Sequence, residues 1–113
     1  DPLHPVAASV DRTRALYDPE VRWAAPRRGL AITGREPLVA HLLREAHAMR
    51  EPVLQPLRRT ESGAHRIVEE SAIRFVYAGE GIAGLTLPAG SRVELSRVRV
   101  LDLRNGRIVA ATC

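Results

Sequence analysis

Acidic and basic side chains in strand-like segments are the residues of this sequence best suited to chemistry. Glu70 and Arg74 lie four residues apart in a segment of alternating pattern, so they share one strand face and could converge on a polar ligand. Glu94 lies in a second such segment and could act as a base if buried, because burial raises the pKa of a carboxylate. We predict Glu70, Arg74 and Glu94 as catalytic residues. The alternative is an ion pair on a solvated surface, which would stabilise the protein little.

Aromatic and histidine side chains supply the predicted ligand contacts. Tyr17 and Trp23 are predicted to line the mouth of a pocket, where the tyrosine hydroxyl could donate a hydrogen bond; the alternative is packing in the core. His47 lies on the flank of an apolar helical stripe and is a further predicted ligand contact. His41 points away from that stripe, so we expect it to be solvated.

Other classes of site are not indicated by the sequence. No cluster of His, Cys, Asp and Glu has the spacing of metal ligands, so no metal is predicted. No cofactor is predicted either, because the chain has no glycine-rich phosphate loop before a helix and no nucleophile elbow. Cys113 is the single cysteine, which excludes an internal disulfide and favours the cytoplasm.

Length and composition indicate one folded domain over residues 1–113. Hydrophobic residues make up 45% and charged residues 27%, and no apolar run approaches the roughly 20 residues that span a bilayer, so no membrane partner is expected. The net charge is +4, and all 17 basic residues are arginine, which is typical of a GC-rich genome and favours a bacterial source. The arginines are scattered and not interleaved with aromatic residues, so we expect no nucleic-acid partner.

The elements that would position these residues follow from periodicity. Helices are predicted at about residues 5–17 and 36–50, where apolar residues recur every three or four positions. Strands are predicted at 21–25, 53–60, 65–78, 92–104 and 107–113, and the loop at 79–90 includes an extended piece at 85–87. Asn105-Gly106 is a strong hairpin signal, and Pro56 suggests an edge strand or a bulge. Helices first and antiparallel strands afterwards indicate an α+β fold.

Three motifs resemble the NTF2-like superfamily, in particular its SnoaL-like and ketosteroid-isomerase-like branch. They are Leu16-Tyr17-Asp18-Pro19-Glu20-Val21-Arg22-Trp23, Gly34-Arg35-Glu36-Pro37-Leu38, and the ending from Val100-Leu101-Asp102 to Asn105-Gly106-Arg107-Ile108-Val109. The resemblance implies a cone, in which a curved antiparallel sheet wraps against two or three N-terminal helices and leaves a pocket at its open end. It also implies a homodimer formed through the sheet.

The two acids of ketosteroid isomerases are absent at the matching positions. Counting from Pro26 places the base at Ala25, and counting back from the final hairpin places the oxyanion-hole acid at Val98. We therefore do not expect that chemistry, and we keep Val98 as a predicted ligand contact. Two hypotheses stay open: an isomerase, cyclase, dehydratase or hydrolase acting on a small apolar oxygenated molecule, or a non-catalytic ligand-binding or dimerisation module.

Overall fold

Two helices and one six-stranded sheet form the fold. The computed structural model describes residues 5–113, and the side chains of residues 10–113. The helices are α1 (Pro5–Leu16) and α2 (Arg35–Ala48), and a 3-10 turn covers Pro26–Arg28. The strands lie in the order β2-β1-β6-β5-β4-β3. They are β1 (Tyr17–Ala25), β2 (Leu30–Thr33), β3 (Met49–Ser62), β4 (Arg66–Tyr77), β5 (Arg92–Arg104) and β6 (Arg107–Thr112). The predicted α+β class is confirmed.

The sheet is mixed, which corrects the expectation of purely antiparallel pairing. β1 runs parallel to β6, whereas every other neighbouring pair is antiparallel. Short connections join β1 to β2, β3 to β4 and β5 to β6, and such turns reverse the direction of the chain, whereas residues 78–91 join β4 to β5. β1 and β6 lie at opposite ends of the chain, so no turn fixes their relative direction. Residues 85–87, predicted as an extended piece, belong to no strand.

The long strands bend through irregularities at the sheet edge. β3 pairs only with β4, so it is an edge strand. Its register shifts between Arg50 and Val53 and again between Pro56 and Arg58, which confirms the bulge predicted at Pro56. Such bulges bend a strand and increase its twist. Two such irregularities in one strand favour a curved sheet.

Two separate apolar clusters lie between the helices and the sheet. The first contains Leu38 of α2, residues of β1 and the ends of β5 and β6; its buried members are Tyr17, Val21, Trp23, Ala25, Leu38, Leu101, Ile108 and Ala111. The second contains Ala48, Ile73, Phe75, Tyr77, Ile82 and Val93. We call the sheet face that carries both clusters the inner face and the opposite one the outer face. Odd-numbered residues of β4 and β5 point to the inner face.

Helix α2 divides its side chains between two neighbours, and this corrects the prediction for His41. The apolar stripe used in the prediction turns mainly toward α1, where Val39, Leu42 and Leu43 border a shared groove. A second row, with spacings of three, four and three residues, faces the sheet: Leu38, His41, Glu45 and Ala48. His41 is therefore buried and not solvated. Neither of the described helices is long and apolar enough to cross a bilayer.

The loop between β4 and β5 packs directly on α2. Its residue Gly81 has φ +101, and a Cβ there would lie 2.9 Å from Cβ of Ala48 and 3.2 Å from the carbonyl oxygen of Arg44. Gly84 in the same loop also has a positive φ, +84, but no atom lies within 4 Å of the Cβ it would gain. The two glycines therefore share a backbone requirement and differ in packing.

We expect Gly81→Ala to destabilise the protein more than Gly84→Ala. Both changes place a side chain at positive φ, which costs about 1–2 kcal/mol. Only Gly81→Ala adds a steric clash with α2, worth about 1–3 kcal/mol more. Urea denaturation of the two variants measures the difference. Equal free energies of unfolding would contradict the close approach of this loop to α2.

Candidate functional site

Polar side chains occupy the middle of the inner face, between the two apolar clusters. Glu69 lies opposite Arg99 and Ser71 lies opposite Arg97 in the β4–β5 register. Apolar inner-face residues flank them on both strands, with Ile67 and Ile73 on β4 and Leu95 and Leu101 on β5. The interruption of the core therefore falls at the same level on two neighbouring strands.

This polar patch forms the floor of an open cleft of about 340 Å³. The inner-face residues Leu54, Pro56 and Arg59 of β3 form one wall, and Glu69, Ser71, Arg97 and Arg99 contribute polar groups. The bulged part of β3 adds Leu57 and Arg58 to the rim, together with Glu70 of β4. The cleft thus combines apolar residues on one strand with charged residues on the next two, as small-molecule sites commonly do.

Glu69 and Arg99 form an ion pair across β4 and β5. The Arg99 Nη2 atom donates to Oε2 of Glu69 at 2.8 Å, and the two side chains are only 26% and 30% exposed. Burial alone would lower the pKa of Arg99, but the hydrogen bond and charge of Glu69 outweigh it and raise that pKa. Arg99 therefore stays charged and is fixed in place by its partner.

Arg97 is a cation on the floor of the cleft whose guanidinium has no carboxylate partner among the described residues. Three buried side-chain nitrogens among residues 10–113 lack a hydrogen-bond partner: Nε of Arg35, Nε2 of His41 and Nε of Arg97. The first two still lie near a carboxylate oxygen, at 3.5 Å from Glu36 and 2.8 Å from Glu45. Arg97 forms no ion pair with any described residue. Burial, together with the like charge of Arg99, lowers the pKa of Arg97.

Tyr17 and Trp23 lie behind the two arginines and are buried in the first apolar cluster. Burial raises the pKa of Tyr17, although Arg99 and Arg97 act in the opposite direction. Burial also raises the pKa of the Cys113 thiol, although Arg99, Arg97 and the Trp23 side chain act in the opposite direction. The phenol and the thiol are therefore neutral near pH 7.

A second polar group lies on α2, facing the sheet. The carboxylate of Glu45 is 2.6 Å from Nη2 of Arg28 and 2.8 Å from Nε2 of His41, although the histidine contact is not aligned as a hydrogen bond. The ring of His41 stacks at a tilt on Trp23, with centroids 5.1 Å apart. Arg28 also donates to the carbonyl of Ala83 at 3.3 Å, which connects the β4–β5 loop to this group.

The structure does not bring the three predicted catalytic residues together. Glu70 is exposed at the rim of the cleft. Arg74 and Glu94 are cross-strand partners, exposed, and border a separate depression of about 370 Å³ near the end of the sheet. All three are even-numbered, so they belong to the outer face of β4 and β5. An enclosed site must therefore use other residues.

The predicted ligand contacts are also dispersed. Val98 is 54% exposed and lies opposite Glu70 on the outer face. His47 is exposed at the groove of about 200 Å³ between α1 and α2. Tyr17 and Trp23 are packed in the core, as in the alternative considered for them, although their polar atoms lie close to the cleft arginines.

The polar residues of the inner face, which were not among the predicted site residues, can be recognised in the sequence because they interrupt rows of alternating apolar residues. Along β5, Val93, Leu95, Leu101 and Leu103 alternate on one face, and Arg97 and Arg99 interrupt that row. Along β4, Glu69 and Ser71 interrupt the row of Ile67, Ile73 and Phe75. Charged residues at the centre of an apolar strand face require a partner or a cavity. No group of His, Cys, Asp and Glu in the described part of the chain has the arrangement of a metal site.

The family model of the SnoaL-like domain matches residues 6–111. The chain belongs to the SnoaL-like domain family. The match spans both helices and all six strands. Among curated proteins, no significant sequence match to the chain was found.

Solved structures show the same fold. A proposed SnoaL-like polyketide cyclase from Jannaschia sp. CCS1 is similar with a TM-score of 0.77 and 18% identity, covering 91% of this chain and 69% of the other. An NTF2-like protein of unknown function from Burkholderia pseudomallei K96243 has a TM-score of 0.73 and 24% identity, covering 98% and 79%. An LEH-like epoxide hydrolase from M. tuberculosis has a TM-score of 0.66 and 17% identity, covering 93% and 68%. At these identities the likeness shows the fold.

Burial of the Tyr17 phenol predicts a change in stability at alkaline pH. Because folding raises its pKa above the usual 10.0, the stabilisation is fully present below pH 10 and is lost as the pH rises through the folded pKa. We expect Tyr17→Phe to remove the delayed step from an ultraviolet titration of tyrosine ionisation. The unfolding free energy of this variant should also fall less steeply above pH 10. A delayed step of unchanged amplitude in Tyr17→Phe would contradict the assignment.

Proposed function

We propose that this SnoaL-like protein binds a small, mainly apolar, oxygen-bearing molecule in the cleft between β3, β4 and β5 and transfers a proton on it. One observation carries the proposal: Arg97 lies on the cleft floor with a buried Nε that has no partner, beside an arginine already paired to Glu69. A guanidinium in this position donates hydrogen bonds to a ligand oxygen and complements negative charge on it.

Glu69 is the proton acceptor in this proposal. It is the one carboxylate on the inner-face part of the cleft, and its contact with Arg99 holds its side chain in one orientation. Isomerisation, cyclisation and dehydration all use a base beside a donor that stabilises negative charge on oxygen. Arg97 supplies that donor from the next strand. The His41–Glu45–Arg28 group supports the wall of the site from α2 and does not reach the cleft lining.

A non-catalytic ligand-binding module is the second hypothesis. It is favoured by the absence of the isomerase acids at Ala25 and Val98, and by the exposure of Glu70, Arg74 and Glu94. Under this hypothesis Glu69 serves only to fix Arg99. The two hypotheses share the same cleft and differ in whether the removal of the Glu69 carboxylate affects a reaction or only binding.

The base-promoted ring opening of 5-nitrobenzisoxazole tests for a proton acceptor in the cleft. The base removes the ring C–H proton, the N–O bond breaks, and the electron pair is left on the phenolate oxygen of the cyanophenol product, where Arg97 can stabilise it. We expect the protein to accelerate this reaction over buffer. Glu69→Gln should reduce the acceleration about tenfold or more, and Arg97→Met should reduce it as well, since a positioned base typically contributes about 10²–10⁴-fold.

Matched variants separate catalysis from general charge effects. Glu94→Gln removes an equal charge on the outer face and should keep the rate of the unaltered protein. Glu69→Asp retains the negative charge near Arg99 but withdraws the carboxylate, so it should be slower while keeping its thermal stability. If Glu69→Gln and Glu94→Gln have the same rate, the proton-acceptor role is contradicted and the binding-module hypothesis is preferred.

We also propose that two copies associate through the outer face of the sheet. Val98 is 54% exposed and Val53 is 49% exposed on this face, beside the cross-strand pair Arg74 and Glu94. Apolar groups bordered by both signs of charge suit contact with a second copy of the same surface, because each arginine can meet a glutamate across a twofold axis.

Val98→Arg should shift this association toward the monomer. The change places a charge in the apolar centre of the proposed contact, where it would be desolvated. Light scattering after size-exclusion chromatography measures the mass at several concentrations. Leu87→Arg, at another exposed apolar residue, away from the sheet, is the control and should leave the mass of the dimer unchanged. A monomeric unaltered protein, or a dimeric Val98→Arg variant, would contradict the proposed interface.

We propose the type of source organism and the cell compartment of the protein from its composition. Basic residues that are all arginine favour a bacterial source with a GC-rich genome, and the single cysteine favours the cytoplasm. Neither feature depends on the cleft, so the proposed function does not rely on them.

A further inference from the structure

The charged side chains on the floor of the cleft, Glu69, Arg97 and Arg99, leave one positive charge without a partner. Glu69 neutralises Arg99, and on the helix side Glu45 neutralises Arg28. Arg97 has no carboxylate within ion-pairing distance among the described residues. The neutral side chains of Tyr17 and Cys113, whose pKa values burial raises, do not supply a negative charge near pH 7. The inner site therefore carries a net charge of about +1 when empty of ligand.

A half-buried cation of this kind is unfavourable unless an anion accompanies it. Removal of a guanidinium from water is unfavourable. A neutral carbonyl oxygen compensates for this cost only in part, because it carries a partial charge. A carboxylate compensates for more of this cost, because it carries a full negative charge and can accept two parallel hydrogen bonds from the guanidinium. The like charge of Arg99 beside Arg97 adds to the preference for a negative ligand.

We propose that the cleft selects an apolar monoanion, a hydrocarbon or aromatic carboxylate whose charged end pairs with Arg97. This inference rests on the proposed function and names the class of its ligand. A dianion is disfavoured on the floor of the cleft, because Arg99 is already occupied by Glu69 and Arg97 supplies the one unpaired charge there.

The walls of the cleft fit the remainder of such a ligand. Leu54 and Leu57 of β3 are 54% and 57% exposed and border the cleft, so they offer apolar surface to a hydrocarbon group. Arg58 and Arg59 on the same strand are exposed, and positive charges in solvent raise the rate of encounter with anions. A ligand would thus enter with its charge leading toward Arg97 and leave its apolar part against β3.

A pair of ligands of nearly equal shape tests the inference. 4-Phenylbutyrate carries one negative charge, and 4-phenylbutyramide replaces its carboxylate with a neutral amide. Titration calorimetry, supported by chemical-shift changes, measures both affinities at low ionic strength. We expect the unaltered protein to bind the carboxylate at least tenfold more tightly than the amide.

Variants at Arg97 locate the source of that preference. Arg97→Met keeps a long side chain and should bring the affinity ratio close to one, with amide binding retained. Arg97→Lys keeps the charge but loses the fork, so it should keep a reduced preference. Arg74→Met removes an equal charge on the outer face and should keep the full preference. Thermal denaturation checks that each variant is folded. If Arg97→Met does not fold, Arg97→Lys is used to test the inference.

The outcomes distinguish this inference from the proposed function. Equal affinity of the unaltered protein for both ligands overturns the monoanion inference and leaves the cleft as a binding site. If neither ligand perturbs the residues of the cleft, both the monoanion inference and the proposed binding site are contradicted for this class of compound. A preference that survives Arg97→Met but is lost in Arg58→Gln overturns the assignment to Arg97 and places the anion at the rim.

Discussion

The ion pair between Glu69 and Arg99 is the contact on which the organisation of the domain depends. The pair and its neighbours Ser71 and Arg97 interrupt an apolar sheet face, and covering these charges with an apolar helix face would cost more in lost hydration than their attraction returns. The pair also lies at matching positions of β4 and β5, so it favours one register of these strands. The core is therefore divided into two clusters, and the space between them stays open to ligands.

Helix α2, like the inner face of the sheet opposite it, has apolar residues at its ends and polar residues between them. Its sheet-facing row begins at Leu38 in the first cluster and ends at Ala48 in the second, with His41 and Glu45 between them. Apolar ends hold the helix against the sheet, while the polar centre prevents the apolar contact from closing across the middle. Arg28 neutralises Glu45 and contacts the carbonyl of Ala83, so the same carboxylate also anchors the loop that packs on the end of α2. Helix, turn and loop are thus fixed around one buried charge.

The sequence was informative about elements and less so about faces. Periodicity predicted both helices and the long strands, and Asn105-Gly106 predicted the final hairpin, because these signals are local. The parallel pairing of β1 with β6 could not be predicted in this way, since it joins the two ends of the chain and no turn records it. The exposed positions of Glu70, Arg74 and Glu94 on the outer face could not be predicted for a related reason. Both faces of β4 and β5 carry valine or isoleucine, and only the position of the helices decides which face is inner.

Val98 illustrates that an error of one position along a strand changes the chemistry inferred from a family, because neighbouring side chains point to opposite faces of the sheet. Counting back from the final hairpin placed the oxyanion-hole acid of ketosteroid isomerases at Val98, yet this side chain lies on the outer face. The side chains on either side of it, Arg97 and Arg99, are the ones that point into the cone. A protonated acid and a guanidinium are both hydrogen-bond donors, so the cleft keeps a donor at this level of the strand. The guanidinium differs because its charge is permanent. A neutral donor favours a ligand whose oxygen becomes negative during reaction, whereas a permanent cation also favours a ligand that arrives already charged. In the proposed function, the donor at this level of β5 therefore favours ligands that are already anionic.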